Sequence, residues 1–417
     1  MKLLLICGIF VGMATVSSST AQDSISKIAD DARCAAGLKW LEKNSSWITD
    51  QHVRLTEIPA PEFAEAARGE ALKELLAASG FTVRTDKIGN VIGERPGLES
   101  KGIILVAAHL DTVFPAGTDV RVKRDGKRLM APGISDNGAG LAALVGVARA
   151  LSESRVHTTK TIVVAGDVGE EGEGNLRGIR ALVNNYGARL SAVIAVDGPS
   201  STHITTQGIA SRRFEVIVSG PGGHSWSDFG EPNPITAIAR GIVKFSATRV
   251  PESPRSSYNF GVIEGGTSIN SIPARAAVKV DLRSEDENEL GRLESALRDA
   301  MEGGAKDEIS AWRASDDSLK LEIRSLGVRP AGKLSSDSPL VATVRSVDTY
   351  LGNQSQLESS STDANVPLSL GIPAIAIGSG GRGAGTHTIE EWFDPSGREL
   401  GLKRLYLTIV ALAGLES

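Results

Sequence analysis

Four short stretches made almost wholly of apolar residues constrain this chain most. Gly102–Ala108 reads GIILVAA, Thr161–Ala165 TIVVA, Ala192–Val196 AVIAV and Ala374–Ile377 AIAI. Continuous apolar runs of this length suit strands buried on both faces. Helical stretches lie around them. Asp23–Leu41 is amphipathic, Glu62–Ser79 is rich in strong helix formers and stopped by Gly80, and Gly138–Leu151 is full of small residues. Phe81–Asp86 and Asn90–Glu94 read as short strands, Ser338–Leu351 and Ser396–Leu415 as helices. Strands alternating with helices predict an α/β layered sheet.

The texture changes near Gln207. Arg212–Ser219, Tyr258–Glu264, Ala276–Ser284 and Leu319–Ser325 alternate polar and apolar residues, as strands with one wet face do. Helices are expected at Pro234–Ser246 and Glu285–Met301. The order strand–helix–strand–strand–helix–strand is the split βαβ, ferredoxin-like layout. It predicts an α+β domain inserted over 208–326, so that the first domain is split into 22–207 and 327–417. A chain of 417 residues also exceeds one typical domain of roughly 100–200 residues.

The chain begins MKLLLICGIFVGMATVSSSTAQDS. A lysine, an apolar run and small residues at Ser19 and Ala21 form the pattern of a secretory signal peptide, residues 1–21, cleaved after Ala21. The run is shorter than the about 20 apolar residues of a membrane span. The reading is therefore a secreted or periplasmic protein with no stable span after processing. Cys7 would leave with the leader, and Cys34 alone can form no intramolecular disulfide. Lys+Arg 45 against Asp+Glu 50 leaves a net charge of −5, which argues against a nucleic-acid partner.

Acids and histidines gather at the ends of the apolar runs. His109 and Asp111 follow GIILVAA, Glu170 and Glu171 follow TIVVAGDVG, and Asp197 follows AVIAV. Asp136 sits in the turn PGISDNG, and His387 follows the glycine-rich GSGGRGAGT. Ligands of open α/β sheets bind at the carboxyl ends of the strands. Each residue alone has a plainer explanation: Asp136 as a helix cap, Glu170-Glu171 as a solvated turn, either histidine as a surface or core residue. Together, two histidines and three of these five carboxylates would match the borderline N/O chemistry of zinc.

At these residues the chain resembles a known family. HLDTVFP (109–115), SDNGAG (135–140), GEEGEGNLRG (169–178), VDG (196–198), GPGGHS (220–225) and HTIEEW (387–392) look like the dinuclear zinc peptidases. That family includes glutamate carboxypeptidases, peptidase T, aminoacylase and succinyl-diaminopimelate desuccinylase. The resemblance implies a layered zinc-peptidase domain with the inserted domain serving as dimerisation or lid domain. It implies two Zn2+ ions, with Co2+ or Mn2+ able to use the same ligands. Asp136 would bridge the metals, His109 and Asp197 completing one position, Glu171 and His387 the other. Three carboxylates against two divalent ions leave about one positive charge, which favours ionisation of a shared water with a pKa near about 7. A cis peptide is expected after Asp136. Asp111 would hydrogen-bond the His109 imidazole and fix its tautomer. Glu170 would be the general base.

The resemblance further implies that His224 stabilises the developing oxyanion across a homodimer interface, with Asn270 helping to bind substrate. Arg283 and Arg329 are candidates to clasp a substrate carboxylate. SSSTDAN replaces the GGTD common in relatives, and Asp363 and Asn365 are assigned to the substrate side. The leading function is an exopeptidase, a carboxypeptidase or a di- or tripeptidase, acting on short peptides. An N-acyl amino-acid deacylase uses the same chemistry. A metal-dependent binding protein with a dead site is the reading from another class, and an intact Glu170 argues against it. GSGGRG (378–383) fits G-x-G-x-x-G, but His387 follows too closely for a helix of a dinucleotide-binding unit. No G-x-S-x-G elbow is present, which argues against a serine hydrolase.

Overall fold

The apolar runs form the centre of a nine-stranded sheet. Ile103–His109 lies between Thr161–Asp167 and Leu190–Val196, parallel to both, and Ala374–Ile377 continues the parallel set beyond Leu190–Val196. Every residue of Ile103–His109 is buried, which explains why the run carries no alternation. Thr82–Thr85 and Val91–Arg95 extend one side, and His203–Gly208, Gly332–Lys333 and Gln356–Ser360 the other. The computed structural model describes residues 24–99, 102–312 and 314–416, so the leader and the expected cleavage after Ala21 lie outside the described residues. Among the described residues no helix is long and apolar enough to cross a membrane.

Helices cover both faces of this sheet. Ala139–Glu153 packs on one face with Ala32–Lys43, Ser45–Thr56, Ala66–Ala78, Pro339–Leu351 and Arg398–Ala413. Its small residues permit close approach: a side chain on Gly146 would press into Ile48. Arg177–Tyr186 and Asn365–Ser369 cover the other face. The two helices expected near the N-terminus differ in detail. Asp31 interrupts the first and caps Ala32–Lys43 by accepting from Arg33 and Cys34 N–H groups. The second begins only at Ala66, because Pro61 pairs with Thr112 and Glu62 turns away to bind the loop after Glu171.

Ala210–Ser219, Arg275–Ser284, Ser256–Gly265 and Lys320–Arg329 form a separate antiparallel four-stranded sheet. Phe214, Val216, Val278, Val280 and Leu282 point to one face, where Pro234–Ser246 and Glu287–Trp312 close a second core. The second helix runs past the expected stop at Met301. Gly303-Gly304 reads as a helix terminator, yet a Cβ on Gly304 would lie 2.4 Å from the Gly241 nitrogen. Glycine is there to let two helices cross closely. The opposite face carries Arg213, Glu215, Lys279, Asp281 and Arg283. It faces the loop after Glu171, since Lys279 Nζ lies 2.6 Å from Glu173 Oε1.

Candidate metal centre

Parallel strands end on one edge of a sheet, and this edge carries the acids. His109 closes its strand. Beyond Asp167 the chain turns through Gly169, at φ 68°, to present Glu170 and Glu171. Asp197 follows Leu190–Val196, and its N–H donates to the Ile377 carbonyl at 3.0 Å. Asp136 lies in the turn before Ala139–Glu153, and the Asp136–Asn137 peptide is cis. His387 lies between Arg382–Ala384 and Trp392–Asp394, two strands of a small four-stranded sheet.

These side chains converge in two groups that share one residue. His109, Asp136 and Asp197 bring ligand atoms within 4.8 Å of one another, and so do Asp136, Glu171 and His387. Asp136 Oδ1 is 3.0 Å from His109 Nε2, while Oδ2 is 3.2 Å from His387 Nε2. Asp197 Oδ1 lies 3.9 Å from His109 Nε2, and Glu171 Oε1 lies 3.0 Å from His387 Nε2. The two oxygens of one carboxylate thus face two different histidines.

The electrostatics show how crowded these acids are. Burial and the charge of Asp136 push Glu171 up to about 7 and Asp197 well above the ordinary carboxylate range. Burial opposes the charge on His109, but hydrogen bonding to Asp136 outweighs it and raises the imidazole well above its usual value. Burial likewise opposes ionisation of Asp136, and the two histidines overcome it and hold the carboxylate low. Hydrogen bonds to Asp136 and Glu171 raise His387 to about 10. A divalent metal would supply positive charge to these crowded acids directly. The donors fit: imidazole nitrogens and carboxylate oxygens suit zinc, cobalt or manganese, and they converge within 4.8 Å of one another in each group.

Several residues assigned from the sequence sit elsewhere or act through other atoms. Asp111 does not hold His109 with its carboxylate, which is 3.8 Å from Nδ1. The main-chain carbonyl of Asp111 accepts from Nδ1 at 3.1 Å instead. Nδ1 thus carries the proton of that hydrogen bond, and Nε2 is the nitrogen turned toward the acids, the one a metal would take. The Asp111 carboxylate is used by the turn, accepting from Glu170 N at 3.0 Å and Glu171 N at 2.8 Å. Those N–H groups lie past the strand end, with no ladder to join.

Arg329 is buried against Glu170 rather than open to a substrate. Its Nη1 donates to Glu170 Oε1 at 2.8 Å and to Ser361 Oγ at 3.1 Å, and Nη2 donates to the Glu170 carbonyl. Arg283 lies apart, its Nε on Asp281 Oδ2 at 2.6 Å. Arg213, on the neighbouring strand, is the arginine of that face that reaches the metal loop, donating to the Gly172 carbonyl. Asp363 is buried against Asp167, and burial raises both acids, Asp167 to about 7.

Asn365 is also buried. Its Nδ2 donates to the carbonyls of Ile209 and Pro330, both at 2.9 Å, and its Oδ1 accepts from Thr362 N. Ile209 and Pro330 are where the chain enters and leaves the four-stranded sheet, so Asn365 clasps both crossings. Asn365→Ala is expected to cost about 1–3 kcal/mol through orphaned carbonyls, read as a lower denaturant midpoint with KM unchanged. A substrate contact would raise KM at unchanged stability.

His224 and Asn270 meet each other but do not hydrogen-bond to the cluster. They sit on a two-stranded ribbon in which Gly223–His224 pairs with Ser271–Ile272. Ser225 N donates to the Asn270 carbonyl at 3.0 Å, and both His224 and Asn270 are exposed. Sequence reasoning missed Asp167, Glu62, Arg213 and Glu391. Glu62 Oε2 accepts from Glu173 N at 2.8 Å and Gly174 N at 3.2 Å, pinning the loop after the paired glutamates. All four lay inside runs already singled out, Glu62 in Glu62–Ser79 and Arg213 in Arg212–Ser219 among them, and nothing in spacing separates them from ordinary surface charges.

Peptidase family M20/M25/M40 matches residues 105–411, a span that holds every residue of the two groups. The chain belongs to this family. It is thereby a hydrolase of the metallopeptidase and amidohydrolase kind. The family member is 25% identical over 331 residues to the cytosol non-specific dipeptidase of Escherichia coli (strain K12), covering 68% of this chain and 65% of the relative. It is 26% identical over 234 residues to carboxypeptidase G2 of Pseudomonas sp. (strain RS-16), covering 52% of this chain and 54% of the relative. Both alignments thus span less than two thirds of the relative. A dinuclear metal-binding M20 peptidase of Bacillus subtilis shares the fold at TM-score 0.64 and 17% identity, covering 89% of this chain and 99% of that one.

Proposed function

We propose that this chain is an exported, dinuclear-metal exopeptidase that cleaves a terminal amide bond of short peptides. The observation that carries the reading is Asp136, whose two oxygens face His109 and His387 separately. His109, Asp136 and Asp197 would hold one divalent ion and Asp136, Glu171 and His387 the other. Metal bound there would polarise the amide carbonyl and lower the pKa of a water to about 7. Export is supported by the signal-like leader.

The chain's own residues supply the rest. Glu170 lies in one group with His109 and Glu171, all buried. It takes the proton of the attacking water and passes it to the departing nitrogen. Arg329 holds its carboxylate in place. His224 Nδ1 accepts from Trp226 N at 3.1 Å and Ser227 N at 3.3 Å, so the neutral ring carries its proton on Nε2. That exposed donor suits an oxyanion in the partner subunit of a homodimer. The free edge strand Ser256–Gly265 supports such a dimer, because it leaves Val262 and Ile263 exposed.

Turnover on short peptides and N-acyl amino acids, zinc-loaded against chelated, tests the assignment. Chelator-sensitive release of one terminal residue is expected. Release of acyl groups alone would make the chain a deacylase, and no turnover at full metal loading would favour a binding role. His224→Ala is expected to lower kcat about 10²–10³-fold. Mixed with Asp136→Ala chains it should recover about a quarter of wild-type activity through heterodimers. No recovery would mean that His224 serves its own subunit or none.

A further inference from the structure

We propose that Glu391 is the positioning residue that seats Asp136 between the two metal positions and locks it to His387. The inference rests on the dinuclear reading above. Glu391 is fully buried and lies four residues beyond His387. Its carboxylate accepts four hydrogen bonds from the turn that carries Asp136. Oε2 accepts from Gly133 N at 2.8 Å. Oε1 accepts from Ser135 N at 2.7 Å, Ser135 Oγ at 2.6 Å and Asp136 N at 2.8 Å.

The turn leaves those N–H groups with no strand or helix partner. It follows the strand Arg128–Met130 and precedes the helix Ala139–Glu153. Backbone donors gathered around one point form a nest for an anion, and here the anion is a side chain. Main-chain contacts reinforce the grip. Trp392 pairs with Met130, and Ala131 N donates to the Glu391 carbonyl at 3.1 Å. The segment that presents His387 therefore holds the segment that presents Asp136. Neither ligand can shift without the other, so the separation of the two positions is set by the chain before metal arrives.

Glu391→Gln keeps shape and volume but turns an amide N–H against one of the turn's own N–H groups. Asp136 would then leave its place. Loss of outer partners of this kind costs roughly 10–100-fold in metal affinity. The experiment titrates Zn2+ into metal-free wild type, Glu391→Gln and Ser135→Ala, with circular dichroism and thermal unfolding of each apoprotein. Glu391→Gln is expected to stay folded and bind both ions about 10–100-fold more weakly. Ser135→Ala loses one of the four bonds and should weaken binding less.

A folded Glu391→Gln variant with a lower melting temperature and wild-type zinc affinity would reduce Glu391 to a stabilising contact and overturn the proposal. If Glu391→Gln does not fold, Ser135→Ala decides: weakened binding supports the proposal and unchanged affinity overturns it. A wild type that takes up no zinc removes the dinuclear reading and this inference together. Two ions in the wild type and two equally tight in Glu391→Gln remove the inference alone.

Discussion

Glu170→Gln is expected to lower kcat about 10²–10⁴-fold while two zinc ions remain bound, the range a positioned general base contributes. Glutamine cannot take a proton from water, yet it preserves most of what Glu170 does for the fold. Its amide oxygen can still accept from Arg329 Nη1, and the main-chain carbonyl still accepts from Nη2. Alanine is the rougher test. It would strand a buried guanidinium, and breaking such a pair costs about 3–5 kcal/mol. Stopped turnover in Glu170→Ala would then mix chemistry with folding. Turnover, zinc stoichiometry and melting temperature measured on Glu170→Gln separate them. Wild-type turnover would falsify the base assignment, and lost zinc would make Glu170 a ligand.

The metal groups were legible because of where the sheet puts its acids. GIILVAA, TIVVA and AVIAV declared themselves as buried strands by lacking alternation, and parallel strands must end on one edge. His109, Asp111, Glu170, Glu171 and Asp197 come forward from that, with Asp136 and His387 in neighbouring turns, and the resemblance picked the five ligands out of the seven. What stayed hidden depends on partners distant in sequence. Arg329 and Arg283 both lie in strands of the inserted sheet, and only the fold shows that one is buried on Glu170 while the other is half-exposed beside Asp281. Asn365 took a substrate role from its neighbours in SSSTDAN, and the carbonyls to which it donates, those of Ile209 and Pro330, are 156 and 35 residues away.

The small sheet that carries His387 was invisible for a different reason. Its strands Lys123–Asp125, Arg128–Met130, Arg382–Ala384 and Trp392–Asp394 have three residues each, too short for any period to register. Gln356–Ser360 reads QLESS and shows no apolar face, because it joins the sheet near its rim. The Asp111 carboxylate was assigned to the nearest imidazole, which is what alternation along a strand suggests. The turn at Glu170 outbid it with two N–H groups that sequence cannot place.

Asp136→Ala is expected to empty both metal positions, while Asp197→Ala and Glu171→Ala each weaken one. The asymmetry follows from the geometry. Asp197 falls in the group with His109, and Glu171 in the group with His387, whereas Asp136 belongs to both. Removing it also leaves His109 and His387 without the acid that raises both imidazoles. The loss of zinc affinity should exceed the roughly 10–100-fold that an outer partner costs, and turnover should fall with it. Zinc counted per chain after equilibrium dialysis would read two for wild type, none for Asp136→Ala and an intermediate value for either single-position variant. An Asp136→Ala chain that keeps one tight ion would show two independent sites rather than a bridged pair, and the catalytic reading built on a shared carboxylate would fall.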